Sequence, residues 1–207
     1  MKDLSKNLKA RAAIRSSMRY WYKLASTQEV QDGLKWYPKA HTDCQRMARI
    51  KTKGAFSPLI CAGVVSALSP NNKWNRNLYD AENVLQAVAD NKPSDSVKVC
   101  TYTSNKLKAF EIARGNKEIL SKSPKTYAFA KNVGELDEKF VTIDVWHLRA
   151  CQTRSLTRKQ DVRESVTPLQ YKIIQEETMK VAKEFGLKGY EFQAIVWVTI
   201  RNRWSNQ

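Results

Sequence analysis

Three times this chain sets a hydroxyl residue directly before a proline at the head of a helical pattern: Ser57-Pro58, Ser123-Pro124 and Thr167-Pro168. A Ser or Thr side chain accepts a hydrogen bond from an orphaned backbone N–H, and Pro suits the first helical position, where an N–H would go unbonded anyway. Each pair therefore predicts a helix start. The run after Ser57-Pro58, LICAGVVSALS, is apolar almost all round, which predicts a centrally buried helix that Pro70 stops. Trp74, Leu78, Ala81, Leu85 and Val88 then recur at helical spacing and are expected to form the inner face of the next helix.

The same periodicity continues elsewhere. Met18, Trp21, Tyr22 and Ala25 fall on one stripe of a first helix. Leu107, Phe110 and Ala113 mark another, ending at Gly115, a residue suited to the left-handed position after a helix. Thr167-Pro168 opens a long helix running to Gly186, and Tyr190 to Arg203 forms the last, with Phe192, Ile195 and Val196 inward. Two β-like runs, VKVCTYT and KFVTIDV, are too few and too isolated to make a sheet. The expected fold class is all-α.

Lys and Arg number 36 against 20 acidic residues, a formal charge of +16, which makes a polyanion the leading partner. The opening MKDLSKNLKARAAIR lacks the apolar run of a secretion signal, and no later segment has the length of a membrane span. The expectation is a cytoplasmic protein with no membrane partner. Cys44, Cys61, Cys100 and Cys151 are widely spaced, with no CxxC pair, and read as reduced, mostly buried thiols; no metal and no organic cofactor are implied. His147 could titrate near neutral pH, but His41 and His147 are two lone histidines that offer no dyad, and neither is assigned a role.

The most informative stretch is LSKSPKTYAFAKNVGELDEKFVTIDVWHLRA, residues 120–150. Lys125-Thr126 with Ala128 at a helix start, then Val141-Thr142-Ile143-Asp144 and His147-Leu148-Arg149, resemble the catalytic segment of the helix-hairpin-helix DNA glycosylases, the superfamily of endonuclease III. Asp144 follows Lys125 by 19 residues, close to that family's spacing. At lower specificity, Ile60 to Leu85, Asn105 to Leu120 and Leu169 to Arg203, with Trp197, are similar to further helices of the family, so that order and lengths agree over about two thirds of the chain. Ala67 to Asn77 also resembles small phage proteins with an Ala-Leu-Ser-Pro run followed by Trp and Asn. In two respects the chain departs from the family: Ser121-Lys122-Ser123-Pro124 stands where the hairpin glycines would be, and the cysteine cluster of endonuclease III is absent.

The resemblance implies a bilobal helical fold, with residues 57–132 as one lobe, 1–56 plus 133–207 as the other, and an active-site cleft between them. It implies a monomer acting on single- or double-stranded DNA by cleaving the N-glycosidic bond of a flipped base, with or without a following lyase step. Lys125 would be the nucleophile and Asp144 the partnering carboxylate. An alternative on the same fold is hypermodification of an activated pyrimidine in phage DNA; another is a non-catalytic DNA binder.

The pair also has a physical reading independent of the family. A lysine in the first turn of a helix lies near the positive end of the helix dipole, which disfavours the ammonium and favours the nucleophilic amine. An aspartate at an N-cap is held charged by backbone N–H groups and can stabilise the positive charge that develops on a sugar as its base leaves. Taken singly, Asp144 is a cap and Lys125 a surface lysine or phosphate clamp; taken together, on two helix starts, they read as a catalytic pair. Asn71 and Asn72 carry amides able to read base edges, and Trp74 could stack on a base. Lys73, Arg76, Lys122, Ser123 and Arg149 are the expected phosphate contacts.

Overall fold

The computed structural model describes residues 4–154 and 163–205. These residues fold into α-helices joined by short connections, with no strand among them. In order they are α1 (Leu8–Lys23), α2 (Thr27–Arg46), a π-helical turn (Met47–Lys51), α3 (Pro58–Leu68), α4 (Trp74–Ala89), a 3-10 turn (Ser94–Ser96), α5 (Thr103–Ala113), α6 (Lys117–Ser121), α7 (Pro124–Glu135), α8 (Val145–Gln152), α9 (Pro168–Glu184) and α10 (Gly189–Ser205). Among the described residues no helix is long and apolar enough to cross a membrane.

The helix starts follow from local chemistry. Ser57 accepts from the Ile60 N–H at 3.3 Å. Thr167 and Gln170 form a reciprocal capping box, the Thr hydroxyl accepting from Gln170 N at 3.3 Å and the Gln carbonyl from Thr167 N at 3.0 Å. A second box opens α2, where Ser26 and Glu29 exchange the same pair of bonds at 3.2 and 2.8 Å. Gly115 and Gly186 take the left-handed conformation directly after α5 and α9.

The chain divides into two compact units, residues 38–137 and residues 1–37 with 138–207. The expected lobes divided at 57 and 133 instead. The difference arises because the second half of α2 packs with the middle of the chain: Cys44 is buried, His41 Nδ1 pairs with the Val133 carbonyl at 2.8 Å, and Trp74 donates to Asp43 at 3.2 Å. Pro38, which cannot donate to a carbonyl one turn back, stands inside α2 where the units divide.

In the middle unit, α3 is the core. Every residue from Cys61 to Leu68 is buried, and the helix packs against α4, α5 and α7. A side chain at Gly134 would meet the Leu59 Cα at 3.0 Å, so α7 lies this close to α3 only because Gly is there. The inner face of α4 differs from the expected one: Asn77, Asp80, Ala81, Val84 and Leu85 are buried, whereas Trp74, Leu78 and Val88 are half-buried. The helix is rotated because its two polar residues have partners in the core, Asn77 donating to the Val65 carbonyl at 3.0 Å and Asp80 as described below.

In the other unit, α1, α8, α9 and α10 pack on one another around Met18, Trp21, Leu148, Ile174, Val181, Phe192, Ile195 and Ile200. Burying each such side chain contributes about 1.5–3 kcal/mol. Trp21 Nε1 and Ser17 Oγ both donate to the Thr153 carbonyl, at 2.7 and 3.1 Å, which closes the end of α8.

Candidate functional site

Lys125 belongs to the middle unit and Asp144 to the unit built from both ends of the chain, so each is positioned by its own surroundings. The short α6 leads through Lys122 and Ser123 into α7, and Lys125 falls in the first turn of α7. That turn is anchored by hydroxyls. Ser66 of α3 donates to the Thr126 carbonyl at 2.8 Å, and Thr126 Oγ1 donates to Ser123 Oγ at 3.1 Å. Among the described residues no side chain caps the start of α7. Lys125 and Lys122 are exposed.

Asp144 is the N-cap of α8, its Oδ1 accepting from the His147 N–H at 2.8 Å. The extended segment before it is clamped by two side chains of α9. Tyr171 accepts from Ile143 N at 3.0 Å and donates to the Val141 carbonyl at 2.9 Å, while Gln175 Oε1 accepts from Val141 N at 3.1 Å. Burial, with the nearby Asp144 charge adding to it, pushes the Tyr171 phenol and the Cys151 thiol above their usual ranges, so both stay neutral beside the carboxylate. Sequence reasoning missed Tyr171 and Gln175, whose partners lie about thirty residues away.

His147 corrects the expectation of titration near neutrality. It is fully buried, its Nε2 lies 2.9 Å from Thr178 Oγ1, and burial pushes its pKa down to about 3. Because Thr178 already donates to the Ile174 carbonyl, its hydroxyl accepts from Nε2–H, and the imidazole is neutral. A folded-state pKa below the unfolded value means that stability is complete above about pH 6.5 and is lost as pH falls toward 3. Urea unfolding should show about 1.4 kcal/mol lost per pH unit below 6.5, and His147→Phe should flatten that slope. An unchanged slope in the variant would assign the loss to other groups.

The loop before α4 is held by a residue the sequence reading did not single out. Asp80, fully buried, accepts from Arg76 Nε at 2.7 Å, Asn72 Nδ2 at 3.0 Å and Cys100 N at 2.7 Å. Asn71, in the left-handed conformation, donates to Tyr102 Oη at 2.9 Å, and Thr101 donates to the Pro70 carbonyl at 2.9 Å. Asn72 and Trp74 thus spend polar groups on the protein itself, Asn71 and Lys73 are exposed, and Arg76 is half-committed. The signal for Asp80 was a carboxylate on the apolar stripe of α4, one turn after Arg76. Arg149 is already matched: it pairs with Glu164 at 2.5 Å and lies over the Trp146 and Trp204 rings at 4.5 and 5.0 Å.

Cys44, Cys61 and Cys151 are buried and Cys100 is exposed, and burial pushes the Cys61 thiol up to about 12. Among the described residues no group of three or more His, Cys, Asp or Glu could hold a metal ion. Residues 1–204 match the model of DUF7178, described as a family of unknown function. No curated protein and no solved structure matches.

Proposed function

The chain belongs to that family across nearly its whole length, and from its own residues we propose that it is a DNA glycosylase of the helix-hairpin-helix kind. One local observation carries the reading: Lys125 stands in the first turn of a helix entered from a short helix and a tight connection, and Asp144 caps the next helix. The sequence resemblance over residues 120–150 supports the same assignment. The start of α7, with Lys122 just ahead of it, offers backbone N–H groups and a cation to a DNA phosphate.

In this reading a nucleotide is flipped out, and the Asp144 carboxylate stabilises the positive charge that grows on the sugar as the base leaves. The Lys125 amine, in its neutral form, forms a bond to C1′ while the C1′–N bond breaks. The departing base takes the electron pair of that bond and one proton of the amine, and the ring oxygen takes the electron pair of the C1′–O bond and the second proton as the sugar opens, which leaves an imine on Lys125.

Incubation with damaged, hypermodified and ordinary oligonucleotides in the presence of borohydride tests this. The expected result is free base together with an adduct that maps to Lys125 and is lost in Lys125→Ala. Base release without an adduct would make water the nucleophile. A nucleotide of increased mass would replace the reading with base hypermodification, and binding with no product on any substrate would leave a non-catalytic DNA binder.

A further inference from the structure

The outer face of α4 forms one wall of a groove of about 380 Å³, closed on the other side by residues 92–98, all within the middle unit. That volume lies in the range of small-molecule sites, about 300–1,000 Å³. Arg76, Tyr79, Asn83 and Gln86 line it at helical spacing, with Lys92 and Lys98 opposite.

Three features of this lining point to one class of ligand. Tyr79 is 55% exposed with the Arg76 guanidinium over one face of its ring, 5.3 Å from the centroid, so a flat side chain with a cation already stacked on it borders the groove. Arg76 is oriented from behind: its Nε donates to the fully buried Asp80, which leaves its two terminal nitrogens for an anion. Lys98 is exposed and has no ion pair among the described residues. The acidic residue in the groove, Asp90, is already occupied by Lys92 at 2.9 Å and Gln86 at 2.8 Å, so its charge does not oppose an incoming anion unscreened.

We propose that this groove binds a nucleoside phosphate, either free or as one residue of a single strand. The base stacks on Tyr79 with its edge toward the Asn83 amide, and the phosphate is held by Lys98 and the terminal nitrogens of Arg76. Neither Lys125 nor Asp144 lines this groove, and the proposal does not rest on the glycosylase reading.

Calorimetric and anisotropy titrations of the full chain test it, with thymidine 5′-monophosphate, a short labelled oligothymidylate and inorganic phosphate as probes. Tyr79→Ala and Lys98→Glu both change exposed side chains, and each is expected to weaken nucleotide binding about tenfold. Binding of the mononucleotide identifies a free nucleotide as the ligand; binding of the oligonucleotide alone, with the same dependence on Tyr79 and Lys98, identifies a strand. The proposal is overturned if neither probe binds, if both bind the variants as they bind the parent, or if inorganic phosphate competes as well as the mononucleotide does. Because the readout is binding, a chain inactive on every glycosylase substrate can still satisfy this test.

Discussion

Asp144→Asn is expected to slow base release about a hundredfold or more while leaving DNA affinity unchanged. The carboxylate is asked to act on charge that exists only in the transition state, so its loss appears in turnover rather than in binding. The substitution is chosen because Asn is also a good N-cap: its side-chain oxygen can accept from the His147 N–H as Asp144 does at 2.8 Å. Single-turnover base release, a binding titration and a melting curve on the same preparation separate chemistry from folding. Full turnover in the variant would reduce Asp144 to a helix cap.

The second large effect is on stability. Glu177 of α9 is fully buried and accepts from Arg11 Nε at 2.8 Å, Lys180 Nζ at 3.0 Å and Arg15. Removing one member of such a cluster strands the others, so Glu177→Ala should cost about 3 kcal/mol, the lower end for buried pairs because both arginines keep some contact with water. Urea unfolding at neutral pH measures it. A loss below about 1 kcal/mol would place the cluster with ordinary surface ion pairs. Burial alone would raise the Glu177 pKa, but the hydrogen bonds from Arg15, Arg11 and Lys180 outweigh it and hold the pKa below the usual value. The contribution is therefore complete above about pH 4.5 and is lost as pH falls through the lowered pKa. Loss beginning near pH 6.5 belongs instead to His147.

Much of the helical framework was legible in the sequence because capping is local. Ser57, Asp144 and Thr167 bond to N–H groups three residues on, and Gly115 and Gly186 close α5 and α9 through their own backbone freedom. Helix α2 was harder to read, since Gly33 and Pro38 inside it both argue against a helix, although Ser26 and Glu29 carried its capping box. Gly33 is needed because a side chain there would meet the Ile195 Cα at 2.6 Å, a contact that no local pattern announces.

The same division runs through the candidate site. The residue types and spacing of Lys122, Ser123, Lys125 and Asp144, and their places at helix starts, are properties of the sequence. Only the tertiary structure decided that Asp80 gathers Arg76, Asn72 and the backbone at Cys100, that Tyr171 clamps the segment ahead of Asp144, and that Arg149 is matched by Glu164. Hydrogen bonding and ion pairing depend on distances of about 3 Å between groups far apart in the chain, whereas a cap or a periodic stripe depends on neighbours three or four residues away.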